Sequence, residues 1–467
     1  MRDLRTEKVP FTGERSVTAP STWGQRQAWL DMGRMRPGTP YNVTQVLLVP
    51  EGWTVGQVLD RISETVGRHE ALRTLFFEDD RGELVQRVLD SGEVQVEVWT
   101  AEGSPEELLA GAMELNRRLE DAVFAHDSEP PFRAAICAPG GVPQAVIVCV
   151  THLTADLQST RLVAEELAGS HRPAPALQPV DVAAYEGSER GLKREASALA
   201  YLRDTLTAFP ASNFTAPPGK AEEPRHWRGG LTSKAVTLAL EVLATRHRVS
   251  TSTVCLAATA AMLGAATGEA RCGLLLIVGN RIPSELRYAV GSLAQNVPVL
   301  IDLAGPGFAD LVRTVWSASM GAYRHGRFAP AKAWREIDDV TRRRGGRPEL
   351  DCFFNDMRGR KDRLPQDRTA AELRTAARET VFSWEDRRAT GGTFFMEFGD
   401  VFGEPDMTRL SLFADTCLLP PAAHEALLFG MESLLIELVE RDVPLAEIAG
   451  LTGLAGLSGV SGLSGVR

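Results

Sequence analysis

A histidine that closes an apolar run, with a carboxylate four residues on, is the pattern in this chain best fitted to proton transfer or charge stabilisation. It lies in Ile147-Val148-Cys149-Val150-Thr151-His152-Leu153-Thr154-Ala155-Asp156-Leu157. An imidazole is the side chain whose ordinary pKa lies near neutrality, so His152 is suited to take, give or position a proton. Gln144 to Val150 is apolar and rich in β-branched residues, which predicts a strand buried on both faces. Leu157 to Ala168 has the periodicity of an amphipathic helix. His152 then sits at a strand end, with Asp156 at the first turn of the helix that follows.

The other reactive side chains are arranged less suggestively. The six cysteines (137, 149, 255, 272, 352 and 417) are scattered without C-x-x-C or Cys/His ligand spacing, which predicts buried, reduced thiols and no metal site. Cys417 has nothing near it in sequence to lower its pKa. There is no G-x-S-x-G, and the remaining histidines have no partner by spacing.

The segment Thr151 to Leu157 resembles the H-H-x-x-x-D-G signature of the condensation domains of nonribosomal peptide synthetases and of their relatives, the carrier-protein- and CoA-dependent acyltransferases. His152 stands at the second His and Asp156 at the Asp, while Thr151 and Leu157 replace the first His and the Gly. Upstream, Arg68-His69-Glu70-Ala71-Leu72-Arg73-Thr74-Leu75-Phe76 is similar, letter for letter, to that family's R-H-E-x-L-R-T-x-F. Thr22-Trp23-Gly24-Gln25-Arg26-Gln27-Ala28-Trp29 and Pro40-Tyr41-Asn42 resemble its opening S-x-x-Q-x-x-x-W and Y-N. Downstream, Gly279-Asn280-Arg281 and Val290 to Val299 resemble N-R and I-G-x-F-V-N-x-x-P, with Leu293, Ala294 and Gln295 where Phe, Val and Asn are usual. Tyr323-Arg324-His325 and Phe353-Phe354-Asn355 fall where looser motifs belong. The resemblance covers nearly the whole chain.

The resemblance implies an α+β fold of two chloramphenicol-acetyltransferase-like lobes, a V-shaped pseudo-dimer with a central tunnel. The lobes are expected at residues 1–180 and 181–450, with His152 and Arg281 at strand ends of different lobes and a flexible glycine-rich tail at 451–467. It further implies direct transfer of an acyl or aminoacyl group from a carrier-protein phosphopantetheine thioester to an amine or hydroxyl, with His152 as base or positioner and no Ser or Cys nucleophile. Asp156 would pair with Arg281 to fix the loop bearing His152, and Thr151 would bond locally. Leu157 would narrow the tunnel where the family has glycine. Ser292, Gln295 and Asn296 would lie near it, either bonding a pantetheine arm or acceptor or, as loop polar groups, satisfying backbone. The segment from Trp384-Glu385 to Phe398 would cross from the second lobe to the first, and Tyr323 and His325 would be packing and surface residues.

No cofactor is implied beyond the phosphopantetheine that an acyl- or peptidyl-carrier protein brings. The acceptor would be a small amine or alcohol, and the protein would be a free-standing, cytoplasmic monomer of natural-product biosynthesis. Two other readings share the fold: a CoA-dependent acyltransferase, and a non-catalytic domain that recruits tailoring enzymes to a carrier-bound peptide. Cyclisation fits less well, because Thr151 stands where those domains resemble D-x-x-x-x-D.

Composition agrees with a large globular chain. At 467 residues and 44% apolar content it is too long for one core, and its net charge of −10 argues against a nucleic-acid partner. No seven-residue apolar core follows the start, no apolar run approaches a bilayer span, and no solenoid-length repeat is evident. The run Thr341-Arg342-Arg343-Arg344-Gly345-Gly346-Arg347-Pro348 reads as a solvated loop that could also meet an acidic carrier protein.

Overall fold

The computed structural model describes residues 3–170, 177–215, 218–282, 284–359 and 367–454. Most of the tail expected at 451–467, from residue 455 onward, lies outside these residues. By contacts the chain divides into two units: residues 1–197, 279–295 and 327–332 form the first, and 198–278, 296–326 and 333–467 the second. The boundary expected at 180 therefore moves, and two later segments return to the first unit.

Among the described residues the first unit holds eight strands: β1 Leu4–Thr12, β2 Val17–Pro20, β3 Asn42–Leu48, β4 Thr74–Glu78, β5 Leu84–Val88, β6 Ser91–Trp99, β7 Phe132–Cys137 and β8 Ala145–Thr151. They form a five-stranded sheet in the order β1-β6-β7-β8-β3 and a three-stranded sheet β2-β5-β4. In the larger sheet only β6 and β7 run parallel; β3 pairs antiparallel with β8 from Asn42 opposite Thr151. The period-two alternation of β8 explains its apolar sequence. Val146, Val148 and Val150 enter the core with Ile62, Val66, Leu162 and Val163 of two helices, whereas Ile147 and Cys149 enter a second cluster with Leu115 and Leu119 of a third. Those helices are Val55–Arg68, Leu157–Leu167 and Pro105–Glu120. His152 thus follows a strand locked between two packed layers.

The second unit holds β9 His226–Ser233, β10 Arg271–Val278, β11 Gln295–Asp302, β12 Cys352–Asp356, β13 Val381–Arg388, β14 Phe394–Val401 and β15 Glu404–Asp415. Their order is β11-β10-β12-β14-β15-β9-β13, with β10, β12 and β14 mutually parallel where they pair. The helix Thr251–Thr267 is buried along most of its length, opened by the Ser250 side chain accepting from the Thr253 N–H and closed by Gly268 at φ +76°. Among the described residues no single helix is long and apolar enough to cross a membrane.

Two sequence expectations fail here. The segment from Trp384 to Phe398 does not cross to the first unit: β13 pairs with β9, and β14 with β12 and β15, all in one sheet. The basic run at 341–344 is not a loop but the last turn of the helix Pro330–Arg344. Arg342 pairs with Asp339, and Arg344 donates to the carbonyls of Leu206 and Phe209. The glycines that suggested a loop follow the helix, with Gly345 left-handed at φ +70°.

Candidate functional site

Asp156 is the N-cap of Leu157–Leu167, and its Oδ1 accepts the Ser159 N–H at 2.9 Å. Arg281 meets the same carboxylate as a fork, Nη2 to Oδ1 at 2.7 Å and Nη1 to Oδ2 at 3.0 Å. The Leu293 N–H adds a bond to Oδ2 at 3.2 Å. Ser159 Oγ accepts from Arg281 Nη2 at 2.7 Å and from the Gly291 N–H at 2.9 Å, and donates to the Gly291 carbonyl at 2.8 Å. Burial alone would raise the Asp156 carboxyl, but Arg281 and the Ser159 bonds outweigh it and hold the group below the usual aspartate range.

The Arg281 side of this lock belongs to the segment 279–295 of the first unit, so the pair does not join residues of different units as the resemblance implied. Asn280 takes a left-handed conformation at φ +52°, and its amide donates to the Leu293 carbonyl at 2.9 Å. The helix Trp23–Arg34 approaches the same turn so closely that a Cβ on Gly24 would overlap the Ser292 carbonyl. Ser292 is buried in that turn.

The Arg68-to-Phe76 segment supports the site from behind. His69 Nε2 lies 2.9 Å and Arg68 Nη1 3.1 Å from the carboxylate of Glu166, on the helix that Asp156 caps. Thr154 Oγ1 donates to the Ala71 carbonyl. Arg73, buried, donates to the carbonyls of Gly67, Arg15 and Leu89. These residues hold backbone and helix and leave no group for a substrate.

His152 is treated differently. Its N–H donates to the Tyr41 carbonyl at 2.7 Å, and its ring stacks on the Tyr41 ring with centroids 4.7 Å apart and planes 16° off parallel. Nδ1 is buried without a hydrogen-bond partner, and the residue is half-buried, so Nε2 is the ring nitrogen left accessible. Burial and the Asp31 carboxylate push the Tyr41 phenol up. Burial likewise raises Asp31, against the opposing pull of the Gln27 amide, Arg34 and His152. Sequence spacing did not disclose Tyr41 and Asp31 as neighbours of this histidine; only the return of the chain along β3, antiparallel to β8, brings Tyr41 back to it.

The other expected residues divide. Thr151 ends β8 with its hydroxyl spent locally, donating to Tyr41 O at 3.5 Å and accepting from the Leu153 N–H at 3.4 Å. Leu157, half-buried, is the first helical residue. Gln295 is a correction: its amide donates to the Phe328 carbonyl at 2.8 Å and accepts the Phe328 N–H at 3.3 Å, so this buried side chain ties backbone together and is not free for a pantetheine arm. Asn296 begins the middle segment of the second unit, outside the segment that carries the lock around Asp156. His325 stacks on Tyr201 at 4.9 Å. The cysteines are free thiols, all buried but Cys417, and burial pushes Cys137 up to about 11 and Cys149 to about 12. Among the described residues no group of His, Cys, Asp and Glu is placed to hold a metal ion.

The chain is similar to known proteins over most of its length. The phosphinothricin tripeptide synthetase PhsB of Streptomyces viridochromogenes is 30% identical over 317 residues, 64% of this chain and 26% of that protein, so the chain spans about a quarter of this relative's length. The SgcC5 protein of Streptomyces globisporus, solved in complex with (R)-(-)-1-(2-naphthyl)-1,2-ethanediol and sucrose, matches with a TM-score of 0.68 at 17% identity, covering 91% of this chain and 100% of that one. The X-domain from teicoplanin biosynthesis, solved in complex with OxyB, matches with a TM-score of 0.63 at 18% identity over 93% of this chain and 96% of that one. The two structures show the shared fold. The condensation domain model matches residues 18–354, which includes the His152 turn and its Arg281 anchor, and the chain belongs to the condensation domain family.

Proposed function

We propose that this domain transfers an acyl or aminoacyl group from the phosphopantetheine thioester of a carrier protein to an amine, forming an amide, with an alcohol acceptor as the nearest variant. The observation that carries this reading is an accessible His152 Nε2 on a turn whose other end is fully bonded. The amine nitrogen attacks the thioester carbonyl, the carbon–sulfur bond breaks, and the proton lost by the amine leaves with the thiolate as a thiol.

The inward Nδ1 has no acceptor, and a buried N–H without one is the rarer and costlier defect than a bare lone pair. The neutral ring therefore carries its proton on Nε2. In that tautomer His152 donates to the oxygen on which charge develops and orients the tetrahedral intermediate, rather than removing the amine's proton. The N–H groups of Leu157 and Gln158, in the first turn, have no acceptor within their helix and are further donors near the turn. Leu157 supplies such an N–H as glycine would, and its side chain restricts the acceptor.

A second reading, a non-catalytic recruiter, is favoured by the two departures at Thr151 and Leu157 together with the likeness to an X-domain solved with OxyB. The diol bound to SgcC5 is the reason to include alcohols among the acceptors. Mass spectrometry of reactions containing an acyl-loaded carrier protein, or the same acyl group on CoA, with panels of amines and alcohols, separates these readings. Amide from the carrier-bound donor supports the proposal. Product from acyl-CoA alone makes the protein a CoA-dependent enzyme, and carrier binding without any product makes it a recruiter.

A further inference from the structure

We propose that a groove in the second unit, between the C-terminal turn of the helix Lys234–His247 and the side of the helix Phe308–Arg324, docks an acidic amphipathic helix of a protein partner. The groove has a volume of about 580 Å³ and is lined by Arg246, Arg248 and Arg313 around an apolar floor of Val249, Val312 and Trp316, with no acidic residue in its lining. In a chain with a net charge of −10, three guanidinium groups at one concave site run against the overall balance. A cavity of about 590 Å³ in the first unit differs: acidic residues share its lining, and Arg15 in its wall pairs with Glu70 and Asp181.

Arg246 and Arg248 have no carboxylate partner among the described residues, whereas Arg313 is ion-paired. Arg246 donates to the carbonyls of Leu438 and Val439, both at 2.6 Å, which fixes the guanidinium against the end of the helix Pro421–Glu440. Arg313 pairs with Asp310, one turn earlier on its own helix. Arg248 closes its helix at φ +56°, ψ +42°, a left-handed position that favours glycine, and among the described residues its side chain has no carboxylate partner. His247 adds little charge near neutrality: burial, Arg246 and Arg313 lower its pKa against the pull of Asp442. The positive field is therefore chiefly that of the arginines.

Trp316 is 50% exposed in this groove. A small anion would use the arginines and leave Trp316 and the half-buried Val249 wet. A helix with carboxylates on one side and leucines on the other uses both, in the groove mode by which amphipathic helices are recognised. Arginine and tryptophan are also the side chains that most often dominate such interfaces.

The test is fluorescence anisotropy of a labelled peptide of about four helical turns, glutamate on one face and leucine on the other, titrated with the full chain. We expect saturable binding that weakens as salt shortens the Debye length, falls about tenfold in Arg248→Glu and in Trp316→Ala, and vanishes when the glutamates are replaced by glutamine. Both substituted side chains are exposed, so unchanged thermal unfolding serves as the fold control. Equal binding by the variants, or no binding by the wild type, overturns the proposal. Displacement of the peptide by ADP, with ADP binding itself lost in Arg248→Glu, also overturns it and assigns the groove to a nucleotide. No arm of the test uses acyl transfer, so the outcome is independent of the role of His152.

Discussion

The turn from His152 to Asp156 has two ends built on opposite principles. At Asp156 the carboxylate takes bonds from Arg281, Ser159 and Leu293, and each of its oxygens is used. At His152 one ring face is stacked, the inner nitrogen is sealed without a partner, and the outer nitrogen is left over. Satisfied polar groups make a rigid mount, and an unsatisfied one on that mount is where a substrate can gain the most. The difference teaches that the family's Asp and His do unlike work: one stores stability and the other spends position.

Breaking the mount should produce the largest effect. Asp156→Ala leaves Arg281 without its carboxylate and strips the helix of its cap, and removing one partner of a buried pair costs about 3–5 kcal/mol. Denaturant unfolding should show that loss, with transfer falling alongside it. A variant as stable as wild type would mean that the cluster around Ser159 holds the turn without the charge.

Acid should weaken the same lock in wild type. The folded pKa of Asp156 is depressed, so the stabilisation is fully present above the unfolded aspartate value of about 3.9 and is lost as pH falls below it toward the folded value. Unfolding midpoints measured across that window should drop in wild type and flatten in Asp156→Asn. A slope retained by the variant would assign the acid sensitivity to other carboxylates, Glu166 among them, which His69 and Arg68 hold low against the opposing effect of burial.

A smaller effect is expected where the mount is tight for steric reasons. Gly24→Ala places a methyl against the Ser292 carbonyl and should destabilise by about 1–3 kcal/mol, the usual range for overpacking. Thermal unfolding reads it, and an unchanged midpoint would show that the Gly291-to-Leu293 turn can yield. Smallest in stability is Leu157→Gly, costing about 1 kcal/mol or less at a first helical position. Its readout is the acceptor panel, which should widen toward bulkier amines. An unchanged panel would place the acceptor away from Leu157.

Much of this contrast was legible in the sequence. The run from Gln144 to Val150 declared a strand buried on both faces, the Asp before an apolar period declared a helix start, and Arg281 followed from the resemblance as the partner of Asp156. What escaped depends on returns of the chain. Tyr41 lies far from His152 in sequence and meets it only through the β3–β8 pairing, and nothing local marks that stack. For Gln295 the choice between a ligand and backbone stayed open in the sequence, because its partner, the Phe328 backbone, comes from another segment. The arginine run at 341–344 read as a loop because its glycines were weighed above the helical period that precedes them. The strand Val381–Arg388 was misplaced because sequence carries no record of which sheet an edge strand joins.

The most direct measurement is single-turnover amide formation by His152→Ala beside its thermal unfolding. The account predicts a rate loss of about 10²–10³-fold, that of removing one donor to the developing charge, at an unchanged melting temperature, because the mount at Asp156 remains whole. Transfer at the wild-type rate by a folded His152→Ala protein would contradict it.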